Sequence, residues 1–373
     1  MLEFAPYYYT IYWFFAMLLT MSRFLEIYPQ KSYSVLYQRD SYMPMIAFSI
    51  FYVLFFGFRP ISMEFWDTVN YNSIYKAIQT YGTLDAELPA EFDSDWLFYY
   101  SMALSAQVVD VYYFLAIVMY FYVVMMFTGC RIIDPRHGAT IMLFCIGAFS
   151  FYWYSVNGVR NGVACSFVIL ALAGVCRGDR IWPIIFSLIA IGCHKSTALP
   201  LVCMFFTYFV RNPKYMFIAW VSAVVISLVF GEMITDILSL LSYDERLADI
   251  GKSSEAIAED WGEEMENRFR WDFLIYSALP ILIGWYTLYV RKVYNNTYLI
   301  LLGTYMYANV FWVLVIRDVF SNRYAYLSWF LYPIVLAYPL LNLPVFNKDH
   351  SQKTAWILFG HFGFTTLMWM LGR

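Results

Sequence analysis

The sequence predicts an all-α, polytopic integral membrane protein, and three observations support this prediction. Of its 373 residues, 61% are hydrophobic and only 14% are charged, whereas a soluble domain carries about 25% charged residues. Apolar runs long enough to cross a bilayer recur along the whole chain. Lys and Arg are divided unequally between alternate connections. These features exclude soluble enzymes and collagen-like, coiled-coil or disordered chains.

Twelve apolar segments predict about 12 transmembrane helices, because a helix needs about 20 mostly apolar residues to cross the hydrocarbon core. The first segment follows Met-Leu-Glu without a basic region or a cleavage site, so we predict a retained span. The sixth and seventh segments are short and could form one broken or re-entrant pair, which widens the expected range to 11–13. The segments lie near 4–20, 42–58, 111–128, 138–156, 162–177, 181–193, 197–210, 214–231, 271–290, 297–316, 324–343 and 354–371.

The positions of Lys and Arg predict an extracytoplasmic N-terminus. With that orientation, the inner loops hold 13 of the 24 basic residues and five of the 27 acidic ones, a net charge of +8. The outer side then carries −11, and the total is the observed −3. We expect residues 1–373 to form a single transmembrane domain.

Two predicted outer loops are long, at 59–110 and 232–270. Apolar residues recur at helical spacing within 65–78 and again within 96–104, which predicts helices that lie in the membrane interface. Within the acidic loop 232–270, the apolar segment 233–243 predicts another interfacial helix, and the polar, acidic segment 244–270 is expected to form a flap. Because the inner loops are short and the chain has no G-x-G-x-x-G or P-loop motif, any chemistry is expected on the outer face.

Cofactor and metal sites are not predicted. The six cysteines lie in or beside the apolar segments, and no Cys/His spacing indicates zinc. No charged residue falls in the middle of a predicted span, which disfavours a coupled transporter, since such carriers need charges along the path. Clustered Tyr and Trp at outer span ends fit either stacking on sugars or an interfacial aromatic belt.

Five basic residues occupy short outer turns or outer span edges, against the positive-inside tendency. We expect them to converge on one basic pocket suited to a pyrophosphate, because guanidinium groups bind phosphate oxygens bidentately. The alternative for each is an ion pair with a nearby carboxylate, such as Arg317 with Asp318, or contact with lipid headgroups. The five are Arg59, Arg160, Lys195, Arg317 and Arg323.

His194 is the one histidine predicted at the outer edge, and cations around it would keep it neutral and able to accept a proton. The alternative is a histidine that is hydrogen-bonded at a helix end. Asp67 is a second candidate base, because it follows Arg59 on a predicted interfacial helix. Asp93 and Asp95 form a weaker candidate pair for a base or a divalent cation, since D-S-D in a loop is a common solvated sequence. Mid-span His361 is expected to be a hydrogen-bonded core residue.

Four short motifs occur in order on the predicted outer side. Arg59 with Asp67 and Tyr71 comes first, followed by N-G-V-R-N-G-V-A at 157–164, H-K-S-T-A-L-P at 194–200, and N-R-Y at 322–324. Together with the span count and the long outer loops, they resemble the Wzy-type polysaccharide repeat-unit polymerases, specifically the EpsG-like family. The resemblance covers most of the chain, with departures at Asn161, where glutamine is expected, and at Cys193, where an aromatic residue is expected.

The resemblance implies a GT-C-like fold and a metal-independent membrane glycosyltransferase that needs no cofactor. It implies polymerisation of undecaprenyl-pyrophosphate-linked oligosaccharide repeat units on the outer face of the bacterial cytoplasmic (inner) membrane, to build O-antigen, capsule or exopolysaccharide. Donor and acceptor are both glycans on undecaprenyl pyrophosphate. The expected partners are these glycolipids, membrane lipid, a chain-length regulator and a flippase, and no nucleic acid.

The same resemblance implies roles for individual residues. Arg160 and Arg323, helped by Arg59, Arg317 or Lys195, would hold the donor pyrophosphate, and His194 or Asp67 would accept the proton of the attacking hydroxyl. The substrate-binding residues would be Tyr71, Asn157, Ser196 and Tyr324. Two alternatives stay open, namely a lipid-linked glycan ligase and a lipid-linked oligosaccharide flippase or transporter.

Overall fold

The computed structural model describes residues 4–85, 94–240, 269–318 and 321–371, and within these ranges every regular element is helical. Short 3-10 turns lie at Ser34–Leu36, Met63–Phe65 and Lys195–Thr197, and a π turn lies at Tyr286–Val290. The α-helices of the described ranges, in chain order, are α1 Phe4–Ile27, α2 Met43–Gly57, α3 Trp66–Asp85, α4 Trp96–Ala106, α5 Val111–Ile133, α6 Gly138–Ile146, α7 Phe149–Val156, α8 Val159–Arg177, α9 Ile181–Cys193, α10 Ala198–Phe209, α11 Pro213–Leu240, α12 Trp271–Trp285, α13 Asn296–Leu314, α14 Ser321–Trp329, α15 Tyr332–Asn342 and α16 His350–Met370.

Seven stretches of helix among the described residues are long and apolar enough to cross a membrane, so the chain is a membrane protein. An eighth crossing exists if α6 and α7 together form one bent span, and α2 and α9 are shorter apolar helices. Each of the twelve predicted segments contains helix, but a count of twelve crossings stays a prediction. The seven are Phe4–Ile27, Val111–Ile133, Val159–Arg177, Pro213–Gly231, Trp271–Val290, Asn296–Leu314 and Ser321–Asn342.

The chain forms two compact units. The first comprises Met1–Leu201 and Pro333–Arg373, and the second comprises Val202–Tyr332. In the first unit the predicted helices of loop 59–110 are present as α3 and α4. The segment 233–243, predicted as an interfacial helix, lies in the last part of α11 as far as Leu240. The acidic flap expected at 244–270 lies outside the described residues, apart from residues 269–270.

Loops of the first unit that are predicted to share a side of the membrane contact each other. At the predicted inner end, the Asp40 amide donates to the Arg136 carbonyl at 2.9 Å, and Ser351 Oγ donates to the Lys31 carbonyl at 2.9 Å. At the predicted outer end, Glu64 accepts the backbone N–H of Phe4 at 3.1 Å. Helices α1 and α2 therefore run from one end of this unit to the other, in the directions that the predicted alternation requires.

A buried ionic cluster closes the predicted inner end. His137 donates Nδ1–H to Asp134 Oδ2 at 2.9 Å and Nε2–H to the Val35 carbonyl at 3.0 Å, and Asn342 Nδ2 donates to the same Asp134 oxygen at 2.6 Å. Both partners of the imidazole are acceptors, so both ring nitrogens must carry protons. Burial alone would lower the pKa of His137, but Asp134 outweighs it and raises the pKa above its ordinary value. His137 is thus a buried imidazolium that joins three segments of the unit.

The predicted span 138–156 is broken into two helices, and the sequence does not predict a break in this segment. Helices α6 and α7 meet at 70° around Gly147. The carbonyl groups freed at the break accept side-chain donors from α1 and α16: Tyr12 reaches Ile146 O, His361 Nε2 lies 3.0 Å from Phe144 O, and Thr365 Oγ1 lies 2.8 Å from Gly147 O. A helix can be interrupted in a membrane when side chains satisfy its carbonyl groups in this way. The expectation that His361 is a hydrogen-bonded core residue is confirmed.

The second unit is built around a buried contact of polar and aromatic side chains. Trp220 Nε1 donates to Asn309 Oδ1 at 2.8 Å, and Asn309 Nδ2 donates to Ser328 Oγ at 3.1 Å. The rings of Tyr276 and Tyr332 stack with their centroids 4.2 Å apart. The hydrogen bonds link α11 to α13 and α13 to α14, and the stacked rings link α12 to Tyr332 at the start of α15. Polar pairs inside a membrane bundle hold helices together in this way.

Candidate active site

The candidate site lies at the predicted outer end of the first unit, where α4, α8 and α9 meet. Helix α9 ends at Cys193, and its C-cap residue His194 has an extended backbone (φ −160°, ψ 112°) before the 3-10 turn Lys195–Thr197. The absence of a side chain at Gly192 lets the end of α9 come close to the start of α4, because a Cβ there would lie 3.0 Å from the Leu97 Cβ and 3.2 Å from the Trp96 ring. The end of α9 therefore packs closely against the start of α4.

Asp95, immediately before α4, is the centre of the site. Its side chain is 2% exposed. Oδ2 accepts Nδ1–H of His194 at 2.8 Å and Nη1–H of Arg160 at 3.0 Å, and Oδ1 accepts the backbone N–H of Lys195 at 2.9 Å. Burial would raise the pKa of Asp95, but the hydrogen bond and charge of His194, the charge of Arg160 and the Lys195 amide together hold it below its ordinary value. Asp95 is therefore an ionised carboxylate at neutral pH.

Arg160 is the second residue of α8 and retains some contact with solvent. Its side chain is 19% exposed, and Nη1 also donates to the Tyr99 hydroxyl at 2.8 Å. The guanidinium lies over the Tyr99 ring, 5.2 Å from the centroid. Tyr99 and Asp95 both hold Nη1 of the guanidinium, and a phosphate oxygen that bound Nη1 would compete with them.

Asp67 caps the same helix. Its Oδ2 accepts the backbone N–H of Val159, the first residue of α8, at 3.2 Å, and the Tyr71 hydroxyl lies 3.5 Å away. A carboxylate at this position satisfies an otherwise unpaired amide and interacts favourably with the helix dipole. Tyr71 is buried, and burial raises the pKa of its phenol well above the ordinary value, with the Asp67 charge adding to the effect. The structure thus gives Asp67 and Tyr71 contacts that fix the start of α8.

Arg59 is completely buried. Its Nε donates to Thr68 Oγ1 at 3.0 Å and Nη1 donates to the Phe56 carbonyl at 2.8 Å, while Nη2 has no hydrogen-bond partner among the described residues. Burial lowers the pKa of Arg59 to about 10, against the opposing charge of Asp67. These bonds attach α3 to the end of α2, and a role of Arg59 as a pyrophosphate ligand stays a prediction.

The other predicted site residues fall in different places. Asn157 is the C-cap of α7, and its Oδ1 is buried without a hydrogen-bond partner in the described part of the chain. Ser196 lies in the 3-10 turn beside Lys195, and both are partly exposed. Arg317, Arg323 and Tyr324 belong to the second unit.

Sequence reasoning missed the importance of Asp95. The D-S-D sequence is a weak signal, and the sequence predicts only cations around His194. In the structure the Asp95 carboxylate accepts a hydrogen bond from the His194 ring. Asp93 lies outside the described residues. The one available signal was the position of Asp95 directly before an apolar helix.

The family model of the EpsG family matches residues 42–371, which is most of the chain. The protein therefore belongs to the EpsG family, whose members are associated with polysaccharide biosynthesis and with glycosyltransferase-like polymerases. The resemblance seen in the sequence is confirmed. No curated protein and no solved structure matches the chain.

Proposed function

We propose that this protein is a membrane glycosyltransferase that polymerises undecaprenyl-pyrophosphate-linked oligosaccharide repeat units on the outer face of the bacterial cytoplasmic membrane. One observation carries the proposal: the two most distinctive motifs, at 157–164 and 194–200, meet on a single carboxylate. Arg160 comes from the first motif and His194 from the second, and both bond to Asp95 Oδ2. A cation suited to phosphate and a histidine suited to proton transfer are thus adjacent.

In the proposed reaction, a hydroxyl of the acceptor glycan attacks the anomeric carbon of the donor. The new glycosidic bond forms as the bond from that carbon to the pyrophosphate oxygen breaks, and the lipid pyrophosphate leaves with the electron pair. Arg160 and Lys195 stabilise the charge that develops on the leaving group, an effect that is often the largest in catalysis. His194 accepts the proton of the attacking hydroxyl at Nε2.

Asp67 is the weaker candidate for the base, because its carboxylate already caps α8. Asn157, with its buried and unpartnered Oδ1, and Ser196 are proposed to contact the glycan. Arg317, Arg323 and Tyr324 are proposed to contribute to donor and substrate binding on the strength of the sequence resemblance. The GT-C-like fold and the twelve crossings remain part of the same proposal.

The test of the pyrophosphate role replaces Arg160 by Ala and by Lys and follows glycolipids by gel electrophoresis in cells that depend on this protein. We expect Arg160→Ala to reduce polymerisation by about 10²–10³-fold, as for loss of one transition-state donor, and Arg160→Lys to retain part of the activity because a point charge remains. Arg177 is the matched control, since it lies at the opposite end of α8 with a side chain 59% exposed. Unchanged polymer in Arg160→Ala at normal protein levels would contradict the proposal.

The test of the base compares His194→Gln with Asp67→Asn. Asparagine can cap a helix as aspartate does, so Asp67→Asn is expected to keep most of the activity, whereas His194→Gln is expected to lose it. The reverse result would move the base to Asp67.

The two alternative functions predict different products. If the protein is a ligase, inactivating it should abolish transfer of the glycan to a terminal acceptor, while repeat units are still joined into chains. If it is a flippase, the purified protein should move lipid-linked oligosaccharide across a vesicle membrane without any acceptor.

A further inference from the structure

Asp95 collects hydrogen-bond donors from two distant parts of the chain. Arg160 is 65 residues away, and His194 and Lys195 are 99 and 100 residues away. We propose that Asp95 is the positioning residue of this site, which holds His194 in the one tautomer that can accept a proton at Nε2 and holds Arg160 beside it. The inference rests on the proposed function for the role of His194 as the base.

The tautomer follows from the chemistry of the partners. An ionised carboxylate oxygen only accepts hydrogen bonds, so His194 Nδ1, at 2.8 Å from Asp95 Oδ2, must carry a proton. In the neutral imidazole the other nitrogen, Nε2, is then the basic one. A carboxylate bonded to Nδ1 orients a catalytic histidine in this way in other enzymes.

The Asp95 carboxylate does not cap α4, although its position directly before that helix suggests this role. Asp95 is the N-cap residue of α4, where an aspartate usually accepts a backbone N–H of the first helical turn. Here the carboxylate makes no such bond and turns instead toward α8 and α9. A residue kept only to start α4 would not need these three partners.

The set of donors also explains why asparagine cannot replace Asp95. The Lys195 amide and the Arg160 guanidinium can only donate, and they contact Oδ1 and Oδ2 respectively. The NH₂ group of asparagine must therefore face a donor in either orientation. The backbone amide of Lys195 is fixed, whereas Arg160 can move toward solvent, so we expect the NH₂ group at the Oδ2 position, donating to His194 Nδ1 and reversing the tautomer.

The decisive experiment measures the tautomer directly. Full-length protein with ¹⁵N-labelled histidine is reconstituted in lipid, and the His194 signals are assigned by their loss in His194→Gln. At alkaline pH we expect protonated Nδ1 and unprotonated Nε2 in the wild type, the opposite pattern in Asp95→Asn, and the wild-type pattern in Asp110→Asn. Asp110 is the matched control, because it is an exposed N-cap aspartate whose side chain, among the described residues, bonds only to the Tyr112 amide.

Activity provides the second measurement. We expect Asp95→Asn to reduce polymerisation by about 10²–10⁴-fold, the range for a positioned general base, and Asp95→Glu, which keeps the charge but moves it by one methylene group, to fall between Asp95→Asn and the wild type. Protonated Nε2 in the wild type would overturn the inference even if Asp95→Asn fails to fold, and so would wild-type activity in a folded Asp95→Asn. If the wild type joins no repeat units, the proposed function fails, but the tautomer result still decides the role of Asp95.

Discussion

Gly162 lies where α8 crosses α7 and α5, two residues beyond Arg160. A Cβ on Gly162 would lie 2.8 Å from the Tyr154 Cβ, 2.9 Å from the Tyr154 carbonyl oxygen and 3.3 Å from Tyr122 Cδ2. The Tyr154 Cβ is attached directly to the backbone and the carbonyl oxygen is part of it, so neither atom can rotate away. Gly162→Ala must therefore displace the start of α8.

The magnitude follows from two opposing effects. Overpacking of a well-packed contact costs about 1–3 kcal/mol, while replacing glycine by alanine inside a helix gains about 1 kcal/mol. We expect a net loss of up to about 2 kcal/mol for Gly162→Ala. Gly363 in α16 is the control, because nothing lies within 4 Å of its Cβ position, and Gly363→Ala is expected to be neutral or stabilising.

The assay is thermal unfolding in one detergent for both variants, together with polymer formation in cells. Because Gly162 and Arg160 share the first turn of α8, we expect Gly162→Ala to reduce polymer formation more than its stability loss alone explains. Equal melting temperatures for Gly162→Ala and Gly363→Ala would refute the close approach of α8 to α7.

Three further predictions concern buried polar contacts. Thr68→Val leaves Arg59 Nε without its acceptor and should lower the free energy of unfolding by about 1–3 kcal/mol. Its melting temperature should be below that of the control Thr304→Val, which removes only a bond within α13. Equal melting temperatures would contradict the anchoring role of Arg59. The pKa of His137 is raised above 6.5, so the stability that the charged ring contributes is fully present below a pH of about 6.5 and is lost as the pH rises through the pKa of the folded state. His137→Gln should remove this loss of stability at higher pH. A variant whose melting temperature depends on pH as the wild type's does would contradict the buried imidazolium. Asp134→Asn leaves His137 without its counter-ion and should cost about 3–5 kcal/mol below that pH, so a melting temperature equal to that of the wild type would show that the pair does not stabilise the fold.

The sequence predicts the positions of the helices because apolar run length is a local property. Helices occupy all twelve predicted segments and both predicted stretches of the loop 59–110. The grouping of loops by side was also predictable within the first unit, since charge asymmetry reports on each connection separately. The meeting of Arg160 and His194 follows from placing both on the same side at helix ends.

The break near Gly147 could not be predicted from its own segment. The segment 138–156 contains no proline, the usual cause of a kink. The interruption is stable because Tyr12, His361 and Thr365, from opposite ends of the sequence, bond to the freed carbonyl groups. A local pattern carries no information about donors that arrive from more than 130 residues away.

The same limit explains Asp95. An acidic D-S-D sequence in a loop is usually solvated, and only the close packing of Gly192 against α4 buries it. Its ionised state then depends on the His194 and Lys195 donors and on Arg160, which no pattern within the loop could reveal. The sequence indicates Arg160 and His194 as candidates, but not the carboxylate that bonds to both.

Burial separates the predicted outer cations of the first unit into two kinds. Arg59 is completely enclosed and bonded to Thr68 and Phe56, so a phosphate could reach it only by breaking contacts that hold α3 to α2. Arg160 keeps a partly exposed guanidinium, so a phosphate could approach it from solvent without entering the contacts that hold α3 to α2. Of these two cations, Arg160 is therefore the one whose burial is compatible with the proposed role in phosphate binding.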